Sequence, residues 1–126
     1  MKLRLRGDSL RLRLDRSDVA GLMRTGRLDE AVALGAVPAE RLVYSIRLVP
    51  GGLQPSTSFA DHRIVVELPE TSAREWAGGS AVGIYSDTAW GLRIAIEKDF
   101  KCLENRTHED DSDAFEHPGG PVDCLK

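Results

Sequence analysis

Four side chains near the carboxy-terminal end are of the kinds that hold transition metals: Cys102, His108, His117 and Cys124. Thiolate and imidazole, with the carboxylates of the neighbouring run Glu109-Asp110-Asp111-Ser112-Asp113, make a donor set suited to zinc or iron. The spacing matches no zinc finger, since no Cys-x-x-Cys occurs, and the acidic run lacks the glycine and terminal glutamate of a calcium-binding EF-hand loop. The same stretch also reads as an acidic, Gly- and Pro-containing tail with two reduced thiols.

A second group lies at the opposite end. Lys2, Arg4, Arg6, Arg11 and Arg13 alternate with leucines on both sides of Gly7-Asp8. In a hairpin with a type II′ turn, Leu5 faces Leu10, Leu3 faces Leu12, Arg4 faces Arg11 and Lys2 faces Arg13. One face is then leucine and the other cationic. Like charges directly opposite destabilise a strand pair, so a negative group is expected nearby. Guanidinium groups in such a stripe suit an anionic ligand, a phosphate or a nucleic-acid backbone, through Arg4, Arg6, Arg11 and Arg13. A solvated strand face, with arginine stems covering apolar neighbours, has the same pattern.

The acidic run offers one answer to the stripe. Residues 1 to 47 carry ten Lys and Arg against six Asp and Glu, whereas residues 97 to 126 carry four against nine. The run is expected to fold over the arginine face or to compete there with an anionic ligand.

The elements that must position these groups follow from periodicity. After the hairpin, Asp15 to Asp18 supply capping residues for a short helix with Val19, Leu22 and Met23 on one face, closed by Gly26. Strands through Leu28/Glu30/Val32/Leu34 and Leu42/Tyr44/Ile46/Leu48 come next, and Pro50-Gly51-Gly52 ends the unit. A shift of 54 positions lays Leu5 on Phe59, Leu10 on Ile64, Leu12 on Val66 and Leu22 on Trp76. A second capped helix is therefore expected over Pro69 to Ala77, followed by strands through Val82/Ile84 and Leu92/Ile94/Ile96. The expected fold is α+β, mainly β: a duplicated strand-strand-helix-strand-strand unit closing a small, eight-stranded, mostly antiparallel barrel. Residues 1–103 form that single domain, with repeats of about 1–50 and 53–103, and residues 104–126 form the tail. Trp76 and Trp90 are expected in the core or at the barrel mouth.

A length of 126 residues suits one domain. Net charge of −3 argues against a uniformly basic nucleic-acid binder, and two cysteines are too few for a disulfide scaffold. No apolar run is long enough to span a membrane, and the start alternates charge with leucine instead of forming a signal peptide, so a cytoplasmic protein without membrane contact is expected. Sequence signatures of hydrolases, phosphate-binding loops and zinc proteases do not occur. His62 falls in the turn at Asp61-His62, and Glu97 and Asp99 flank Lys98 at the end of the last strand.

The opening Met-Lys-Leu-Arg-Leu-Arg-Gly-Asp-Ser-Leu-Arg-Leu-Arg-Leu, with Glu97-Lys98-Asp99-Phe100-Lys101-Cys102-Leu103, resembles a family of small bacterial proteins known only as a domain of unknown function. That resemblance implies a bacterial, cytoplasmic protein and brings no activity or catalytic residue. The first fourteen residues also look like the start of swapped-hairpin antitoxins and transition-state regulators, which are dimeric DNA binders. The second half replaces the basic face with Ser58, Ala60, Val65 and Glu67, so a symmetric cationic surface is not expected. Three functions stay open: a noncatalytic binding or accessory module with zinc or iron on the tail residues, a nucleic-acid or phosphate binder using the arginine hairpin, and a small enzyme of unknown reaction. Oligomeric state is not readable.

Overall fold

The structure, a computed structural model, describes residues 1–100 together with Phe115 and Pro118. Strands β1 (Lys2–Arg6) and β2 (Ser9–Leu14) form the expected hairpin, and the register is the expected one: Lys2 opposite Arg13, Leu3 opposite Leu12, Arg4 opposite Arg11 and Leu5 opposite Leu10. Gly7 turns the chain at φ 53° while Asp8 keeps a negative φ, the pattern of a type II′ turn.

Helix α1 (Arg16–Thr25) begins at a capping box in which Asp15 accepts from the Asp18 amide and Asp18 accepts from the Asp15 amide. It ends where Gly26 takes a left-handed conformation, φ 77°, and returns its amide to the Leu22 carbonyl. Strands β3 (Arg27–Ala33) and β4 (Arg41–Val49) form a second hairpin, with a single 3-10 turn at Pro38–Glu40 between them. The pattern then recurs as β5 (Ser56–Ala60), β6 (Arg63–Pro69), helix α2 (Glu70–Gly78), β7 (Gly83–Asp87) and β8 (Arg93–Lys98). Asp61 and His62 both take positive φ at the β5–β6 turn, so His62 is a turn residue.

The strands divide into two mixed four-stranded sheets, in the orders β1-β2-β8-β7 and β3-β4-β6-β5. Each sheet joins a hairpin from the first half of the chain to one from the second. The seam is parallel in both cases, β2 beside β8 and β4 beside β6, and the other four pairings are antiparallel. Among the described residues no strand pairing links the two sheets, so the single eight-stranded closure expected from sequence is not found. Side chains tie the neighbouring edges instead. The Met1 ammonium on the β1 edge donates to Glu30 of β3, and Ser86 of β7 donates to Gln54 and the Pro55 carbonyl just before β5.

The apolar faces of the sheets and helices share one core, in which Leu12, Leu14, Leu22, Ile46, Val66, Leu68 and Ile96 are all at most 1% exposed. Helix α1 packs on β2, β3 and β4, α2 packs on β4, β6 and β7, and the helices touch each other. Trp76 lies in this core at 2% exposure with its indole N–H on the Val82 carbonyl. Trp90 does not: it stands 67% exposed in the β7–β8 loop. The tight turn there, with Gly91 at φ 94°, carries the ring outward instead of over the strand ends. No helix among the described residues is long and apolar enough to cross a membrane.

Candidate functional site

Alternation along the first sheet sends Leu10, Leu12, Ile94 and Ile96 into the core, so their neighbours share the outer face. The registers arrange that face in three rows across β1, β2, β8 and β7. These are Lys2–Arg13–Glu97–Gly83, Arg4–Arg11–Ala95–Tyr85 and Arg6–Ser9–Arg93–Asp87. Six cations thus share the face with two carboxylates, one of which, Asp87, lies at the far edge.

The other carboxylate organises the middle of it. Glu97 is 4% exposed, unusual for a charge on an outward position. Its Oε1 lies 3.2 Å from Arg11 Nε and 3.8 Å from Arg13 Nε, and its Oε2 accepts the Tyr85 hydroxyl at 2.6 Å. Side chains from β2, β7 and β8 therefore meet at one buried carboxylate. Gly83 makes the meeting possible: a Cβ at that position would lie 2.9 Å from Glu97 Cγ and 3.0 Å from the Tyr85 hydroxyl. Asp99, next along the chain, holds Lys2 at 2.9 Å. The negative groups that the arginine stripe requires thus include the end of the last strand.

Burial, and then the hydrogen bond to Glu97 and the charge of that carboxylate, push the Tyr85 hydroxyl up to about 12. A phenol held that firmly protonated is poorly placed to serve as a base or nucleophile near neutrality. Its ring nevertheless remains on the surface, with the residue 53% exposed.

The second sheet has a smaller polar cluster on its outer face. Arg27 Nε lies 2.7 Å from Asp29, Arg63 lies 3.6 Å from the same carboxylate, and the Ser45 hydroxyl donates to it. Burial would raise Asp29, but Arg27 and Ser45 hold it below the usual carboxylate range. Across the parallel seam of this sheet Arg47 faces Glu67, the reverse of the polarity of Glu97 facing Arg13.

A groove of about 1260 Å³ opens between the helices, floored by Leu14, Val19, Met23 and Ala77. Three of the charged groups on its rim are engaged in the fold. Arg74 lies 2.9 Å from Glu70, Lys98 donates to the Gly79 carbonyl at 2.8 Å, and Asp99 is the partner of Lys2.

Of the residues singled out from sequence, Arg4, Arg6, Arg11 and Arg13 are brought onto one face, as the hairpin register required. Cys102, His108, His117 and Cys124 lie outside the described residues, as does the acidic run 109–113. Among the described residues no group of three or more His, Cys, Asp or Glu side chains is placed to hold a metal ion. Tyr85 was missed by sequence reasoning, and Glu97 was noticed without a partner. The signal available was that Glu97 follows Ile96 and so shares the outward parity of the arginines.

The chain belongs to a family of unknown function, DUF7009, whose model matches residues 1–119. Comparison with curated proteins and with solved structures finds no match.

Proposed function

We propose that this member of an uncharacterised family is a noncatalytic binding module that takes a phosphate-bearing anionic ligand on the outer face of the first sheet. Arg4, Arg6, Arg11 and Arg13 supply the charge, with Lys2 and Arg93 at the margins. The observation that carries the reading is the convergence of Arg11, Arg13 and Tyr85 on the buried carboxylate of Glu97. Ion pairing of this kind fixes guanidinium groups in one orientation, which lowers the ordering cost when they meet a ligand. The noncatalytic part of the reading is supported by the engagement of Arg74, Lys98 and Asp99 at the helix groove and by the firmly protonated Tyr85.

The architecture is read in the same way. One ancestral strand-strand-helix-strand-strand unit was copied, giving two sheets that wrap a common interior in a barrel-like shell over residues 1–103, with an acidic tail beyond. What supports duplication is that both parallel seams fall on corresponding strands, Leu10 and Leu12 beside Ile94 and Ile96, Ile64 and Val66 beside Tyr44 and Ile46.

The test is binding of fluorescent polyphosphate, measured by anisotropy across a salt series. Binding should weaken as salt rises, and Arg4→Ala/Arg6→Ala should lower both the affinity and the steepness of that dependence. Arg4 and Arg6 are chosen because they stand on β1, the edge strand of the cationic half of the face. No measurable binding at low salt, or an affinity indifferent to the double substitution, would defeat the proposal.

A further inference from the structure

Resting on that reading, we infer that the ligand of the first sheet is a single-stranded nucleic acid. Its backbone runs over the β1–β2 half of the face and its bases over the β7–β8 half. The face is not uniformly basic. Five of its six cations stand on β1 and β2, while β8 and β7 contribute Arg93, Ala95, Gly83 and the exposed ring of Tyr85. Charge and aromatic surface are therefore segregated by strand.

The two halves adjoin. Neighbouring strands lie about 4.8 Å apart, so the Tyr85 backbone stands two strands, about 10 Å, from that of Arg11, and the two side chains reach toward each other to share the Glu97 carboxylate. A strand whose phosphates meet Arg11 has its bases within reach of the Tyr85 ring. The residue between them is Ala95, whose methyl group leaves a low floor on which a flat base can lie. A free anion such as phosphate would have no use for this half of the face.

Tyr85 is also held in place. Its hydroxyl is bound to Glu97, and Glu97 in turn is bound to Arg11 and Arg13, so the stacking ring and two of the phosphate-binding guanidiniums share one anchor. Trp90, exposed in the loop that leads to Arg93, supplies a second aromatic surface at the end of the sheet beyond the third row. Aromatic rings beside a cationic track bind single strands with little regard for base sequence, because every base presents a flat face. An acidic polypeptide would meet the same cations but would bring no base face to the ring. A duplex buries its base faces and would gain nothing either.

The experiment uses the full chain and four probes: a labelled single-stranded oligonucleotide, the matching duplex, inorganic polyphosphate and poly-glutamate. The expected result is preference for the single strand over the other three at equal charge. Tyr85→Ala should weaken single-strand binding by roughly fivefold or more while leaving polyphosphate binding within twofold, the signature of a lost stacking contact. Tyr85→Phe, which keeps the ring and frees it from Glu97, should fall between the two. Circular dichroism of each variant establishes that it is folded. Equal binding of single strand and polyphosphate, indifference of single-strand binding to Tyr85→Ala, or preference for duplex or poly-glutamate would overturn the inference. Polyphosphate binding that survives those outcomes leaves the broader anion-binding proposal standing, whereas its failure removes both.

Discussion

Replacing Glu97 with alanine should destabilise the fold more than any other single change on the outer face. Removing one member of a fully buried ion pair costs about 3–5 kcal/mol, because the partner charge is stranded. Arg11 and Arg13 keep 23% and 21% of their side chains exposed, so water recovers part of that loss. The Tyr85 hydroxyl also loses a charge-assisted bond of 2.6 Å, but its half-exposed ring lets the group turn to solvent. The net expectation is about 3 kcal/mol, or a fall of about 12 °C in Tm for a domain of this size. Glu97→Gln, which keeps an acceptor for Tyr85 and loses the charge, should cost about half as much. Urea denaturation monitored by tryptophan fluorescence reads these values directly. Alkaline titration of tyrosine absorbance gives an independent check, since Tyr85, now raised to about 12, should return toward its ordinary value of 10.0 in Glu97→Gln. Burial, the larger cause, should keep that return incomplete. If Glu97→Ala were within about 0.5 kcal/mol of the parent, the carboxylate would be solvated and the account of the face would fail.

Gly83→Ala should lower stability by about 1–3 kcal/mol, since its Cβ would lie 2.8 Å from the Ile96 carbonyl oxygen as well as against Glu97; a melt unchanged from wild type would show that the strand can yield. The enclosed Met1 ammonium lies 2.8 Å from Asp18 and 3.1 Å from Glu30; burial opposes its charge, yet the two carboxylates raise its pKa above 8.0, and Asp18 is lowered below 3.8 against the same opposition. Their stabilisation should be complete between about pH 4 and 8, lost as pH falls through the lowered Asp18 pKa and as it rises through the raised amine pKa; urea midpoints across pH should show both limbs, and acetylating the amine should abolish the alkaline one. Neutralising the acidic run with Asp110→Asn/Asp111→Asn/Asp113→Asn should tighten polyphosphate binding at low salt, and an unchanged affinity would remove the idea that this run competes for the arginine face. Arg27→Ala/Arg63→Ala, on the second sheet, should leave single-strand binding unaltered, because the flanking strand there, β5, brings Ser56, Ser58 and Ala60 where β1 brings Lys2, Arg4 and Arg6; a loss equal to that of Arg4→Ala/Arg6→Ala would mean that binding is a property of total charge.

What the sequence made legible was local. The hairpin register follows from the parity of Leu3, Leu5, Leu10 and Leu12 about a two-residue turn, and the limits of α1 follow from Asp15, Asp18 and Gly26, each acting within four residues. The partition into two sheets was not legible, because it depends on parallel seams between residues more than eighty positions apart in one case and about twenty in the other. Alternating leucine and isoleucine fit many partners equally well, so parity chooses a face without choosing a neighbour. The same limit concealed the site. Arg13 was read as an outward residue and Glu97 only as a residue at the end of the last strand, and the β2–β8 seam is what makes them adjacent. Trp90 failed for a different reason: its position before Gly91 marked a turn, and the direction in which a turn throws a side chain is set by backbone torsions that composition does not reveal.

The seam also bears on the binding face proposed for the first sheet, whose ion pairs form only in the folded whole. Glu97 comes from the last strand of the second half and Arg11 and Arg13 from the second strand of the first, so neither half could organise the guanidiniums alone. At the equivalent seam of the other sheet the charges are exchanged, with Glu67 on the strand that corresponds to β2 and Arg47 on the one that corresponds to β8. The flanking strands differ in the same sense: β1 brings Lys2, Arg4 and Arg6, whereas β5 brings Ser56, Ser58 and Ala60. A parallel seam bearing one acid and one base serves stability in either polarity. Only where the base lies on the strand beside a cationic edge does the ion pair become part of a track, and among the described residues that condition is met on the outer face of the first sheet.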